Sequence, residues 1–144
     1  MAHLDIKLEN VFITGDGVVK LGDFGLMKPI HALVEAYEGT PLYCAPEILA
    51  QTPYQGVQAD IFALGVVLFM LYFSWEPFVE ARVGGVFDKD GEKIDDRYDL
   101  LQKNVMTYWF KYPPPTVWLN VEIDEDFMEL VSNMLSQNLP GQST

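Results

Sequence analysis

The chain has 144 residues, which is the size of one folded domain and short for two. Hydrophobic residues make up 49% of it and charged residues 21%, so a buried core is expected and global disorder is excluded. The formal net charge of −12 disfavours a nucleic-acid-binding protein, which needs a basic surface. One cysteine excludes an internal disulfide framework, and the first ten residues contain no apolar run of secretory length, so we expect a cytoplasmic protein.

The first third of the chain predicts a hairpin followed by a long ordered loop. Two β-prone runs, residues 11–13 and 18–21, flank a turn at residues 14–17 that is rich in Gly and Asp. Residues 23 to about 47 show little periodicity and are punctuated by Gly and Pro, a pattern typical of loops. Loops of that length inside compact domains are usually functional, so we expect site residues there.

Two helical segments are predicted in the middle of the chain. Residues 46–50 suit a short helix that begins at a proline. Residues 61–73 form a run of thirteen residues without a charge. As a helix this run would span about 20 Å, which is short of the hydrocarbon layer of a membrane. We therefore predict a soluble protein in which this helix is buried on all sides.

The last part of the chain predicts one surface loop and two further helices. Residues 83–99 are rich in Gly and charge and favour a surface loop. A helix is predicted at residues 98–110, ended by the prolines that follow it. Another is predicted at residues 124–135. Apolar residues at helical spacing give it one buried face: Phe127, Leu130, Val131, Met134 and Leu135.

Three short motifs follow one another in the first third of the chain. Residues 3–10 read HLDIKLEN, residues 23–25 read DFG, and a GTP tripeptide at 39–41 is followed by APE at 45–47. Each is weak alone, but their order and spacing resemble the C-terminal lobe of a eukaryotic serine/threonine protein kinase. The resemblance runs from residue 3 to about 144, and it includes a weaker similarity to the calcium/calmodulin-dependent-like kinases of protists.

This resemblance implies the fold class and the domain organisation. The expected fold is α+β, a mainly α-helical kinase C-lobe with a small β-hairpin and without the N-lobe. Residues 1–144 would form one partial kinase domain, running from the catalytic loop through the activation segment to the following helices. No nucleic-acid or membrane partner is expected.

The resemblance also implies MgATP-dependent phosphorylation of Ser or Thr in a protein substrate. Asp5 would orient the substrate hydroxyl or accept its proton, and Lys7 would screen the charge of the transferring phosphoryl group. Asn10 and Asp23 would bind Mg²⁺ and, together with Lys7, ATP. This chemistry needs positioned reactants and neutralised charge more than covalent help from the protein, and these four side chains suit that need.

Other residues would serve the substrate or support the site. Thr40 matches a threonine that serine/threonine kinases place near the catalytic Asp and Lys. Glu9 matches an acidic position of arginine-directed kinases, whereas Met70 stands where such kinases often carry a glutamate, so a preference for basic substrates stays open. The expected supporting residues are His3, Phe24, Gly25, Glu47 and Asp60.

Several departures from the family pattern bear on activity. The 144 residues contain no glycine-rich loop, strand lysine or helix glutamate for ATP, so we expect an N-lobe in cis and little activity from this chain alone. The alternative is a non-catalytic, stand-alone lobe that acts as a binding or scaffold protein. Leu4 replaces the catalytic-loop arginine, and residues 26–38 contain no Ser or Thr. We therefore predict regulation that does not depend on Ser/Thr phosphorylation in that segment.

One further departure concerns the glutamate of the APE motif. In the family an arginine near the end of the domain pairs with it, and Gln142 stands there instead. An unpaired buried Glu47 would cost about 3–5 kcal/mol. We expect that Glu47 is partly exposed, finds another donor, or destabilises the fold.

Overall fold

The structure is a computed structural model, and it describes residues 1–113 and 124–136. Within these ranges short antiparallel strand pairs are combined with α-helices, which confirms the predicted α+β character. The strands are β1 (Val11–Ile13), β2 (Val19–Leu21), β3 (Leu33–Val34), β4 (Tyr54–Gln55), β5 (Val86–Phe87) and β6 (Lys93–Asp95). The helices are α1 (Pro46–Leu49), α2 (Gly56–Phe73), α3 (Arg97–Lys103), α4 (Val105–Lys111) and α5 (Glu125–Met134).

The predicted hairpin at the start of the chain is confirmed. Strand β1 pairs with β2 in antiparallel register, with Val11 opposite Leu21 and Ile13 opposite Val19. The turn is closed where the Thr14 amide donates to the Val18 carbonyl at 2.9 Å. This register brings residue 10 next to residue 22, since the Gly22 amide donates to the Asn10 carbonyl at 2.9 Å.

The segment between residues 23 and 47 is less irregular than the sequence suggests. Its strand β3 pairs with β4, which lies just before α2, with Leu33 opposite Gln55. Near its start, Ala2 and Lys28 form an isolated antiparallel bridge. The prediction of one continuous loop was therefore wrong in part, because two-residue strands leave almost no periodic signal in a sequence.

The prediction of a surface loop at residues 83–99 was wrong. Strands β5 and β6 form a hairpin there, and α3 begins at Arg97. The Asp88 carboxylate shapes the turn by accepting the amides of Asp90 and Glu92, both at 2.9 Å. The Asp-Gly pair at residues 90–91 is a hairpin signal that points to this turn, and Gly91 adopts a left-handed φ of 82°.

The single helix predicted at residues 98–110 is two helices. Asn104 separates α3 from α4, with φ −156° and ψ 85°, and its side chain caps α4 by accepting the Thr107 amide at 3.0 Å. Helix α4 ends at Lys111, before the predicted stop signal, whose last two prolines lie outside the described residues. The capping asparagine in the middle of a periodic pattern therefore ends the first helix and starts the second.

Helix α2 is the centre of the core, and it is longer and more exposed than predicted. It has 18 residues, and among the described residues it is long and apolar enough to cross a membrane. This is weak evidence, since the core helix of a globular protein passes the same test and half of this helix is buried inside the protein. The prediction of full burial was wrong, because Ile61, Leu64 and Leu71 are exposed.

Helix α5 begins as the sequence predicts and packs on α2. The Asp124 carboxylate accepts the Phe127 amide at 3.1 Å and so caps α5. The Phe127 ring stacks on Tyr72 of α2 at 4.2 Å between ring centroids. At Gly65 the backbone of α2 comes so close to α5 that an added Cβ would lie 2.9 Å from the Cβ of Met134. On the predicted apolar face of this helix, Val131 and Leu135 are buried, whereas Leu130 is exposed.

Candidate active site

A carboxylate in the second turn of α2 holds the start of the 3–10 segment. The Asp60 carboxylate accepts two backbone amides, that of His3 at 2.6 Å and that of Leu4 at 2.8 Å. Gly56, one turn earlier on the same face, leaves room for this approach, since an added Cβ would lie 2.6 Å from the Cβ of Ala2. Leu4 adopts a left-handed φ of 66°, an unfavourable conformation for a leucine, which the bond to Asp60 stabilises.

His3 links this segment to the end of the hairpin. Its Nε2 lies 3.0 Å from the Gly22 carbonyl, and its Nδ1 lies 3.2 Å from the Asp5 amide. Because a carbonyl only accepts and an amide only donates, these contacts require a proton on Nε2 and a lone pair on Nδ1. The neutral His3 ring, with its proton on Nε2, therefore links the Asp5 amide to the carbonyl of Gly22, the residue before Asp23.

Asp5, Lys7 and Asn10 form one polar network. The Asn10 amide nitrogen donates to the Asp5 carbonyl at 2.8 Å and to Asp5 Oδ2 at 2.9 Å. Lys7 Nζ lies 3.1 Å from the other carboxylate oxygen, Oδ1. The side chain of Asp5 is only 11% exposed, so these contacts hold its carboxylate in one orientation. Two acceptors on Nδ2 also fix the Asn10 amide and turn its carbonyl oxygen to the opposite side.

Lys7 also connects the 3–10 segment to the loop before α1. Its ammonium donates to Thr40 Oγ1 at 3.4 Å, so the cation lies between the Asp5 carboxylate and a hydroxyl. A second contact joins the same two segments, because the Leu8 amide donates to the Tyr43 hydroxyl at 3.5 Å. The structure thus brings Asp5, Lys7, Asn10 and Thr40 together.

The DFG residues lie at the end of β2 and are more exposed than this network. Asp23 has a left-handed φ of 55°, and its Oδ1 accepts the Gly25 amide at 3.3 Å. The Phe24 ring makes an edge contact with the His3 ring, with 5.2 Å between centroids, but it remains 56% exposed. Within the described part of the chain, Asp23 forms no hydrogen bond or ion pair with Asp5 or Lys7, and it approaches the network only through the Gly22 backbone.

The oxygen donors here suit Mg²⁺. Asn10 offers an amide oxygen and Asp23 a carboxylate, and the hydrogen bond between Gly22 and Asn10 brings the two residues to the same end of the hairpin. No group of three or more His, Cys, Asp or Glu that could hold a metal occurs among the described residues. Two protein ligands are nevertheless enough for Mg²⁺, which usually keeps several waters and binds substrate phosphates.

The environment of Glu47 differs from that of the polar network. Burial raises the pKa of its carboxyl, and among the described residues no cation pairs with it. Its backbone carbonyl accepts the Thr52 amide at 3.0 Å. Gln142, which stands at the position of the expected partner, lies outside the described residues. The expectation of partial exposure is met, since Glu47 is neither fully buried nor fully exposed.

The sequence analysis missed several groups that build the site. The Tyr43 hydroxyl accepts the Leu8 amide, and the Gly22 carbonyl accepts the His3 ring N–H. One carboxylate oxygen of Glu38, Oε2, is buried and has no hydrogen-bond partner among the described residues. No local signal identifies the first two contacts, because each joins chain segments that are far apart in sequence.

Glu9, which we expect to face the substrate, is exposed beside this network. Burial raises the pKa of the Tyr43 hydroxyl, and the negative charge of Glu9 adds to that effect. The Glu9 carboxylate is therefore close enough to act on Tyr43, which joins the 3–10 segment to the loop before α1. It remains accessible to a ligand at the same time.

Comparison with known proteins decides the family. The family model of the protein kinase domain matches residues 1–142. The chain belongs to the protein kinase family. Human serine/threonine-protein kinase DCLK2 is 32% identical over 148 aligned residues, which cover 100% of this chain and 17% of that protein. CBL-interacting serine/threonine-protein kinase 13 of Arabidopsis thaliana is 38% identical over 92 residues, 60% of this chain and 18% of that protein.

These relatives confirm the resemblance to eukaryotic serine/threonine kinases that the three motifs suggested. Human NUAK family SNF1-like kinase 2 is a further relative, 39% identical over 80 residues that cover 54% of this chain and 13% of that protein. The chain spans less than a fifth of the length of each of these relatives. The narrower similarity to calcium/calmodulin-dependent-like kinases of protists stays a prediction.

Proposed function

We propose that this chain forms the catalytic-loop and activation-segment half, the C-lobe, of a protein kinase domain that phosphorylates Ser or Thr in a protein substrate with MgATP. One observation carries the proposal, the network in which the Asp5 carboxylate is oriented by Asn10 while Lys7 bridges it to Thr40. Membership of the family and its serine/threonine kinase relatives support the same reaction class.

The side chains have distinct roles in this reaction. The Asp5 carboxylate accepts the proton of the substrate hydroxyl, whose oxygen bonds to the γ-phosphorus as the bond to the β-phosphate oxygen breaks and ADP leaves. Lys7 balances negative charge on the transferred group, and Thr40 holds the Lys7 ammonium between the two segments. Asn10 and Asp23 would hold Mg²⁺, which when bound neutralises phosphate charge.

The supporting residues position this machinery. Asp60 fixes the backbone before Asp5, and His3 fixes the amide of Asp5 and the carbonyl before Asp23. Phe24 packs on the His3 ring, and the Gly25 amide restrains the Asp23 carboxylate.

The exposed Glu9 carboxylate has a separate role in the proposal. We assign Glu9 to the substrate, where it would meet a basic side chain beside the acceptor residue. Its position one residue before Asn10 keeps it next to the catalytic network without making it part of that network.

The test is phosphoryl transfer from ATP to peptides that differ only in a Ser, Thr or Tyr acceptor. The Asp5→Asn variant of the full-length natural protein should lose activity by about 10²- to 10⁴-fold, because general-base catalysis supplies about that factor. The matched control is Asp90→Asn, which removes the same charge from an exposed turn residue and should leave activity unchanged. Equal activity of wild type and Asp5→Asn would contradict the proposal.

The same experiment addresses the need for an N-lobe and the alternative of a non-catalytic scaffold. We propose that an N-lobe in cis completes the ATP site, so the 144-residue chain alone should transfer little phosphate. MgATP should raise the Tm of the full-length protein, and Asp23→Ala should abolish that increase. A full-length protein with no transfer and no MgATP-dependent increase in Tm would favour the scaffold function.

Leu4 supports a form of regulation without a phosphothreonine switch. Its side chain is buried, and it packs near Gly56 at the start of α2, where it offers no charge to a phosphate. Tyr37 is the remaining hydroxyl residue between residues 26 and 38, and it is 48% exposed. We expect Tyr37→Phe to keep wild-type activity within about twofold, and a large change would contradict this mode of regulation.

A further inference from the structure

Two adjoining cavities lie beside the 3–10 segment and share part of their lining, and together we call them the docking groove. Its inner cavity has a volume of about 560 Å³ and is lined by Leu8, Met70, Ser74, Trp75, Glu76 and Arg97. Its outer cavity, of about 660 Å³, shares Trp75 and Arg97 with the inner one and continues to Lys93 and Lys111. Because Leu8 follows Lys7 directly, the inner end of the groove opens beside the proposed phosphoryl-transfer site.

The outer cavity concentrates positive charge in an acidic protein. Three of the nine Lys and Arg residues line it, namely Lys93, Arg97 and Lys111, against two carboxylates, Asp95 and Asp96. This outer cavity therefore has one net positive charge, and with Glu76 of the inner cavity the whole groove is neutral, while the whole chain carries −12. An acidic ligand that is repelled by most of this surface would meet attraction here.

The two carboxylates in the cavity wall are already engaged. Asp95 is buried and accepts the Val79 amide at 2.6 Å and Arg97 Nε at 2.8 Å. Asp96 accepts the Tyr112 hydroxyl at 2.6 Å. That hydrogen bond lowers the pKa of Asp96, which keeps it charged and paired within the wall. These two carboxylates therefore interact mainly with groups of the protein itself and less with a ligand in the groove.

The two lysines, in contrast, are open to a ligand. Lys93 is exposed and forms no ion pair with any described residue, and its ammonium lies 5.5 Å from the Phe87 ring centroid. The side chain of Lys111 is 50% exposed and forms one ion pair, with Asp96 at 3.3 Å. Trp75 is 53% exposed between the two cavities, and it offers an aromatic surface to an apolar side chain.

We propose that the docking groove binds an acidic segment of the protein substrate, separated from the acceptor residue by an apolar side chain that packs on Trp75. This inference rests on the proposed kinase function, because the groove begins at the catalytic loop. The apolar side chain would occupy the inner cavity, lined by Leu8 and Met70, while Asp or Glu side chains would reach Lys93 and Lys111. A substrate would then be basic beside the acceptor, at Glu9, and acidic further away.

Direct binding tests this proposal without relying on catalysis. The probes are fluorescein-labelled peptides with one Ser, a central Leu and a terminal block of four Glu residues, made in both sequence directions. Reference peptides replace the Glu block with four Gln residues. We expect the Glu peptide in one direction to bind at least about tenfold more tightly than its Gln counterpart, and added salt to weaken that binding.

Matched charge reversals locate the binding surface. Lys93→Glu combined with Lys111→Glu should weaken Glu-peptide binding by about tenfold or more. Lys20→Glu combined with Lys89→Glu changes the net charge equally at exposed positions outside the groove, and it should have less than about a threefold effect. Equal losses in both double variants would overturn the proposal, because they would show only long-range repulsion. Binding of the Gln peptide as tight as that of the Glu peptide would overturn it as well.

Chemical labelling separates a vacant groove from one that is filled by another part of the chain. Lys93 of the free protein, which has no ion-pair partner among the described residues, should react with an acetylating reagent as fast as exposed Lys89, and the Glu peptide should protect it. Slow acetylation in the free protein would overturn the proposal. If the Glu peptide binds while phosphoryl transfer is absent, the docking site holds and the proposed catalytic function fails.

Discussion

Two regions of the molecule are stabilised by different interactions. Residues 2–10 are held mainly by hydrogen bonds to buried or partly buried polar groups, above all Asp60, Asn10 and His3. The region formed by α2, α4 and α5, which we call the helical half, is held by aromatic packing around Phe73. That ring is 0% exposed and contacts four others, those of Phe69, Tyr72, Trp109 and Phe127.

This difference shows how the helical half supplies stability while hydrogen bonds orient the residues of the site. Apolar packing contributes most of the folding free energy but is non-directional, whereas hydrogen bonds contribute less and fix direction. The hairpin beside the site buries little, since Ile13 is 73% and Val19 is 65% exposed. Substitutions in the helical half should therefore lower global stability, and those around Asp60 should disorder the site first.

The largest effect is expected for Phe73→Ala. Removing a fully buried ring from the centre of the aromatic cluster should lower the free energy of unfolding by about 3–5 kcal/mol. Urea denaturation of the 144-residue chain, followed by tryptophan fluorescence, measures it. Phe110→Ala is the matched control, because this ring on α4 is 89% exposed and its loss should have little effect. Similar losses in both variants would contradict the picture of a packed aromatic core.

A smaller and more local effect is expected for Asp60→Ala. The two lost hydrogen bonds involve a charged acceptor, so stability should fall by about 2 kcal/mol. The distinguishing readout is amide hydrogen exchange, which should become faster at residues 3–5 while the amides of α5 keep their protection. A uniform increase across the chain would show that Asp60 supports the whole fold. Asp90→Asn, in the exposed turn between β5 and β6, is the control.

The parts of the fold that sequence predicts well are those with local signals. The hairpin β1–β2, the short helix α1 that begins at Pro46, and α5 with its Asp124 cap each follow from residues that are close in sequence. The β3–β4 pair joins residues 33 and 55, and nothing in either two-residue strand indicates the other. The β5–β6 hairpin was missed although residues 90–91 carry its turn signal, because charge and glycine outweighed the short apolar runs.

The site was predictable in its membership and less so in its geometry. The spacing of Asp5, Lys7 and Asn10 within one short segment favours a shared site, and the structure joins these three side chains in one network. The contact between Lys7 and Thr40 spans 33 positions and depends on how the loop before α1 folds back. The tie between His3 and Gly22 depends in the same way on the hairpin register. Such contacts are tertiary, and local propensity does not encode them.

A third, smaller effect is expected at the break between α3 and α4. Asn104→Ala removes the side chain that accepts the Thr107 amide, so stability should fall by about 1 kcal/mol. Asn104→Asp keeps an acceptor at the same position and should retain most of that stability, which makes it the matched control. Thermal unfolding followed by circular dichroism measures both variants. A more stable Asn104→Ala variant with higher helicity would indicate that the two helices merge, and that the aromatic core does not need the break.

The smallest effect, and the one that depends on pH, is expected for Glu47→Gln on α1. Burial raises the pKa of Glu47 above its usual value of 4.5, so the folded state binds this proton more tightly than the unfolded chain does. Ionisation in the unfolded chain therefore makes stability fall as pH rises from about 4.5 towards the folded-state pKa. The glutamine variant lacks this loss, so its stability relative to wild type should increase across that window and then level off.

Urea denaturation at a series of pH values between acid and neutral measures this difference, with exposed Glu129→Gln on α5 as the control that should show no such trend. If a cation from outside the described residues paired with Glu47, the pKa would be lowered instead, and the glutamine variant would lose stability relative to wild type as pH rises. The sign of the slope therefore distinguishes an unpaired, partly buried carboxyl from one side of an ion pair. An unpaired Glu47 would contrast with Asp5 and Asp60, whose carboxylates both accept hydrogen bonds from residues of the 3–10 segment.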